Sequence, residues 1–282
     1  MNFTPRYLGR GSWLARRDPR LLVIAVVCFV FTAVQVWDLR LMLVLAGIAL
    51  VYYRSASIPF RAVRRQWAFV IFFVTLLVLV NGIIAGGRVP RMADNELHVY
   101  VHLPIIGTAV SAESLLYALT QLIRFLAMAA VGFPLAFAMH PADFGVAFAR
   151  LGVPDRFAFA IDLTFRFVPS LSGDLQTTID AQRVRGMELD RPGGSLFSRM
   201  RRMGPILVPT VVNAIVGAED TIDAMDLRAF GTGPRSWLRE LRFDRTDRIV
   251  VGLLVVMLVV ATIAGFTTTS AQVWVPDAIL PA

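Results

Sequence analysis

The apolar residues of this chain are gathered into runs long enough to cross a bilayer, and this constrains its fold more than any other feature. Trp67 to Ile84 and Ile249 to Phe266 carry no charged residue, and about 20 apolar residues suffice for a spanning helix. Leu21 to Trp37 is a third such run, and no small-x-small cleavage site follows it, so it reads as a retained helix rather than a secretory signal. Leu39 to Tyr53 is shorter. It returns from a tight turn at Asp38, either as a full span or as a re-entrant hairpin. Ala112 to Met139 is long and is interrupted by Gln121 and Arg124, so tilt or a protruding end is expected. With 56% hydrophobic residues arranged in this way, the chain reads as an all-α integral membrane protein.

All 28 basic residues are arginine. Without lysine there is no Walker A lysine for nucleotide phosphates and no amine for Schiff-base chemistry. Any ATP hydrolysis linked to this chain therefore belongs to another subunit. The single cysteine, Cys28, lies in an apolar run and allows no internal disulfide. The net charge of +8 could suggest nucleic acid, but the arginines sort by membrane side instead. With five spans and a cytoplasmic N-terminus, the inner segments 1–20, 54–66 and 140–248 hold five, four and fifteen arginines. Outside remain Arg40, Arg88 and Arg91. The positive-inside rule then sets the N-terminus inside and the C-terminus outside. The expected organisation is a cytoplasmic N-terminus (1–20), transmembrane helices 1–4 (21–139), a cytoplasmic region of amphipathic helices (140–248), and a last transmembrane helix with an external tail (249–282).

Within 140–248, Phe157 to Leu171 contains Asp162, Arg166 and Pro169, and Pro205 to Ala218 is short and holds two prolines. Both fit helices lying on or under the membrane surface better than spans. Two arginine motifs follow them: AQRVRG, Ala181 to Gly186, and AMDLRAFG, Ala224 to Gly231. Phe167, Leu171, Leu175 and Ile179 form an apolar stripe before the first. Val211, Val212, Ile215, Ile222 and Met225 form one before the second, opposite Glu219, Asp220, Asp223 and Asp226. Gly186 can close the first helix in the left-handed conformation, and Gly231 is expected to stop the second shortly after Arg228. Each helix would then present one arginine at its C-terminal end. Simple compensation of the helix dipole, about 0.3–1 kcal/mol, and docking to a soluble partner both explain such an arginine.

Other signals are weaker. Arg124 within a span is either functional or satisfied inside the fold. Asp162 and Arg166 have the i,i+4 spacing of a helical ion pair. His98 and His102, with Glu96, offer a poor metal site, because HVYVH alternates as a strand does. Gly132 with Ala136, and Ala261 with Gly265, have the spacing of close helix packing.

Taken together, the two motifs resemble the transmembrane T component of energy-coupling factor (ECF) transporters, the vitamin and metal-ion importers of prokaryotic cell membranes. RRDPR (Arg16–Arg20), Arg124, RLGVP (Arg150–Pro154) and FRFVP (Phe165–Pro169) match that family in the same order. The resemblance implies a non-catalytic subunit that couples two cytoplasmic ABC-type ATPases to a small membrane S component. ATP is bound by the partners, and this chain carries no cofactor and no nucleic acid. The resemblance also implies coupling helices that dock in the ATPases through Arg185, flanked by Val184 and Gly186, and through Arg228, flanked by Leu227 and Ala229. The family often has Ala-Arg-Gly at both sites, so the neighbours of Arg228 depart from its pattern. A permease subunit of another ABC importer is the alternative within transport. An integral-membrane enzyme is a third, disfavoured by arginines without accompanying general bases.

Overall fold

The computed structural model describes residues 12–84, 99–103, 108–187, 196–233, 237, 241 and 243–267. The chain divides into two compact units, one formed by the described parts of 7–140 and 241–282 and the other by those of 141–240.

The first unit is a helical bundle of α1 (Pro19–Gln35), α2 (Leu39–Ser55), α3 (Phe60–Ile84), α4 (Ala112–Ala138) and, from the far end of the chain, Arg245–Thr267. A strand pair, β1 (Val99–Leu103) and β2 (Thr108–Ser111), leads antiparallel into α4. His102 therefore lies in a strand, as the alternation predicts, while Glu96 and His98 fall outside the described residues. Asp18 and Asp38 start α1 and α2 in the same way, each carboxylate accepting a hydrogen bond from the backbone N–H two residues on. The α4 helix sits between α1, α2 and α3. Ala33, Ala49, Ala127 and Ala130 line the contact beside Phe29, Met42 and Leu45, and small residues at such faces let helix backbones approach. Cys28 is buried in a second cluster with Ala25 and Leu254.

The outer faces are as apolar as the core. Phe69, Phe72, Phe73, Leu76, Leu79 and Ile83 of α3 are all exposed. An apolar surface of this extent, carried on helices that bond their own backbone, is stable in hydrocarbon rather than in water. Phe60–Ile84, Glu113–Ala138 and Arg245–Gly265 are long and apolar enough to cross a membrane, and Pro19–Gln35 is a shorter apolar helix. Two aromatic groups mark the ends of this layer. Trp37 stacks on Tyr117, and Tyr53, Trp67 and Phe133 form a second group. Along α4, about 24 Å of helix separates Tyr117 from Phe133, and such aromatic belts sit at membrane–water interfaces.

The second unit contains α5 (Asp143–Arg150), α6 (Asp155–Val184) and α7 (Leu196–Asp226). The 245–267 helix of the bundle is α8. The α5 and α6 helices cross closely at Gly145, where an added Cβ would lie 2.6 Å from the Asp162 Cβ and 2.8 Å from the Ala158 carbonyl oxygen. The α6 and α7 helices form an antiparallel hairpin. Gln182 near the end of α6 donates to the Pro205 carbonyl early in α7, and Phe159 near the start of α6 meets Phe230 just beyond α7, with centroids 4.9 Å apart. Both Pro205 and Pro209 lie inside the continuous α7 helix. Since Pro209 has no N–H, the Pro205 carbonyl lacks its helical donor, and Gln182 supplies one from the neighbouring helix. Met203–Asp226 has the length and composition of a membrane span, whereas the 205–218 stretch was expected to lie along the surface because its apolar part is short and holds both prolines.

Candidate functional site

Both arginine motifs end their helices in the same hydrogen-bonded turn. In the first, Met187 N–H donates to the Gln182 carbonyl and Gly186 N–H to that of Arg183. In the second, Phe230 N–H donates to the Met225 carbonyl and Ala229 N–H to that of Asp226. These are paired 6→1 and 5→2 bonds of the Schellman type, and in each the capping residue is the arginine, Arg185 or Arg228. The residue after it takes the left-handed conformation, Gly186 at φ +83° and Ala229 at φ +53°. The second helix is therefore ended by Ala229 and not by Gly231, which lies two residues further on at φ +90°. The reason is that the terminal carbonyls of α7 are satisfied by the turn around Ala229 before the chain reaches Gly231. An alanine there bears a steric cost of about 1 kcal/mol that glycine avoids.

Neither Arg185 nor Arg228 has a side-chain hydrogen bond or ion pair among the described residues, and both are exposed. The other arginine of the first motif, Arg183, is engaged by Asp180 at 3.3 Å in its own helix, so Arg185 is the uncommitted one. Immediately before each capping arginine stands an apolar side chain in open solvent: Val184 and Leu227 are each 89% exposed. A guanidinium with five unused donors beside an exposed aliphatic group suits an acidic, partly apolar groove. The hairpin packing places the two arginines at opposite ends, separated by roughly 30–35 Å of helix. Glu219, Asp220, Asp223 and Asp226 are exposed along the second half of α7.

The remaining expected residues are placed as follows. Asp162 and Arg166 approach to 3.7 Å, with Arg166 76% and Asp162 19% exposed, a long contact of small energetic weight. Arg124 belongs to the bundle unit and is 6% exposed. It donates to the Gln121 side chain at 2.8 Å and to the carbonyl of Val36, the residue that ends α1, and lies 5.3 Å over the Trp37 ring. Its geometry is that of a pin holding the α1–α2 turn against α4. Its Nε has no partner among the described residues.

Sequence reasoning missed one cluster in the bundle unit. Arg17 donates to Asp244 at 2.8 Å and lies 3.7 Å from Asp247, whose side chain is 3% exposed. Arg20 is bound by Asp18 at 2.7 Å, donates to the Leu241 carbonyl and covers the Phe243 ring at 4.0 Å. Asp247 in turn accepts from Asp244 N–H, the reciprocal half of a capping box at the start of α8. The backbone N–H of Arg245 and the Arg17 guanidinium hold the Asp244 carboxyl below the usual carboxylate range. The RRDPR segment thus ties the start of α1 to the start of α8.

Residues 10–240 match the family described as cobalt transport protein. Over most of its length the chain is similar to proteins named energy-coupling factor transporter transmembrane protein EcfT. The protein from Lacticaseibacillus paracasei is 27% identical over 266 residues, covering 89% of this chain and 94% of that protein. The one from Limosilactobacillus fermentum is 26% identical, covering 90% and 93%. The protein named energy-coupling factor transporter transmembrane protein EcfT 1 from Listeria monocytogenes is 33% identical over 112 residues, covering 39% and 41%.

Proposed function

We infer the role of this chain from its family: it belongs to the cobalt transport protein family, as a transmembrane component of an energy-coupling factor transporter. In this reading it is a non-catalytic, multi-pass membrane subunit. It transmits ATP-driven motion from two cytoplasmic ABC-type ATPases to a small substrate-binding S component for uptake of a vitamin or metal ion. ATP hydrolysis falls to the partners, since the sequence has no lysine for a Walker A loop.

The observation that carries this reading is the pair of uncommitted capping arginines, each beside an aliphatic side chain 89% exposed. Each is fixed at a helix end by backbone bonds rather than carried on a loose loop, so a pull on the guanidinium moves a whole helix. Arginine's planar fork grips carboxylates in two places, which suits a contact that must bear load. One ATPase at each end of the α6–α7 hairpin would move it as closure of the ATPase dimer proceeds.

The hairpin packing supports a cytoplasmic position for both motifs. If α7 crossed the bilayer, α6 packed along it would carry Asp162, Arg166, Asp174 and Asp180 into hydrocarbon, at several kcal/mol for each charge. With both helices at the membrane surface, their charged faces meet water and Arg185 and Arg228 stay on one side.

Affinity purification of the full transporter in mild detergent tests the docking role. Arg185→Glu combined with Arg228→Glu is expected to leave membrane insertion intact and to remove both ATPases from the purified complex. Retention of the ATPases at the wild-type ratio would refute docking through these residues.

A further inference from the structure

We propose that the corner of the bundle formed by the end of α2 and the start of α3 is a binding site for the phosphate headgroup of an anionic phospholipid. Arg54 lies in the last turn of α2, and Arg61, Arg64 and Arg65 follow within the first turns of α3. The last three have the i, i+3, i+4 spacing that puts side chains on one helix face. All four are exposed, and among the described residues none has a hydrogen-bond or ion-pair partner for its side chain.

The chain on either side of them supplies no acidic residue to neutralise them. No acidic residue occurs between Asp38 and Asp94 in the sequence, and the first turn of α3 contains none. Like charges four apart on a helix repel, and the positive N-terminal end of the α3 dipole disfavours Arg61, Arg64 and Arg65 further, whereas Arg54 sits at the negative end of α2. An external anion is what this arrangement lacks.

The membrane level of the corner identifies that anion. Trp67 lies on α3 just beyond Arg64 and Arg65, packs edge-on against Tyr53 at 5.7 Å, and donates its indole N–H to the Tyr53 hydroxyl at 3.1 Å. Hydrogen-bonded Trp and Tyr mark the interfacial zone. Beyond Trp67, α3 continues as an exposed apolar surface through Phe69, Phe72 and Phe73. The four arginines are thus held at headgroup height beside a surface that accommodates acyl chains. A lipid phosphate is supplied there by the same bilayer that solvates α3, and basic clusters at this depth concentrate anionic lipid.

Trp67 serves as the reporter. The full chain is reconstituted in vesicles of phosphatidylcholine containing either acyl-brominated phosphatidylglycerol or acyl-brominated phosphatidylcholine at equal mole fraction. The Trp67 contribution is obtained by subtracting a Trp67→Phe variant. Brominated phosphatidylglycerol is expected to quench Trp67 at least about two-fold more strongly. The excess is expected to shrink stepwise in Arg64→Gln and in Arg61→Gln/Arg64→Gln/Arg65→Gln. The helical circular dichroism of each variant checks that the bundle is retained. Equal quenching of the wild-type chain by the two lipids would overturn the proposal, as would an excess that persists in the folded triple variant.

Discussion

At the level of single residues, the two capping positions differ in one atom that matters. Gly186 and Ala229 occupy equivalent places in equivalent turns, both at positive φ. Only Ala229 carries a Cβ in that conformation. Ala229→Gly is therefore expected to raise stability by roughly 0.5–1 kcal/mol, and Gly186→Ala to lower it by about 1 kcal/mol. Thermal unfolding in detergent reads both, and a destabilised Ala229→Gly variant would contradict the strain assigned to that turn. Neither substitution touches a guanidinium, so ATPase association is expected to survive both. The arginines themselves were legible in the sequence, since a glycine just after a helical stripe signals a C-terminus. The left-handed alanine was not, because alanine carries no turn signal and Gly231 offered a plausible stop nearby. Arg124 was legible as an anomaly only: its main acceptor, the Val36 carbonyl, lies 88 positions away in the chain.

At the level of elements, the close crossing of α5 and α6 depends on Gly145. Its replacement by alanine would force a Cβ to within 2.6 Å of Asp162 Cβ, which only a shift of helix backbone relieves. Gly145→Ala is expected to destabilise the α5–α6 contact by about 1–3 kcal/mol, seen as faster limited proteolysis around Gly152 with the bundle helices still protected. Unchanged proteolysis would show that the two helices part at no cost. The helices of the bundle were readable because each is built around a largely apolar run, although α3 begins at Phe60 rather than at Trp67. The helices α6 and α7 were harder. Prolines 169, 205 and 209 weighed against membrane spans there, and each helix continues through its prolines. The acceptor freed by Pro209 is met by Gln182 across the hairpin, a compensation that local sequence does not reveal.

At the level of the whole molecule, sidedness is the property on which the coupling role turns. Single cysteines placed at 185 and at 228 in a Cys28→Ser background are both expected to react with an impermeant maleimide in inside-out vesicles and not in right-side-out vesicles. Labelling of the two positions from opposite sides would show that α7 crosses the bilayer. The expected sidedness rests on the charge distribution, because arginine content differs sharply between alternate segments. The tie between RRDPR and the start of α8 was not readable, since Arg17 and Asp244 are 227 positions apart and each motif is ordinary on its own. Finally, an antiparallel hairpin whose two helices end in the same turn has an approximate dyad across its middle. A dimer of like ATPases has a dyad of its own. In the proposed role, one asymmetric chain with matched contact points at either end would engage both halves of a symmetric motor without a second copy of itself.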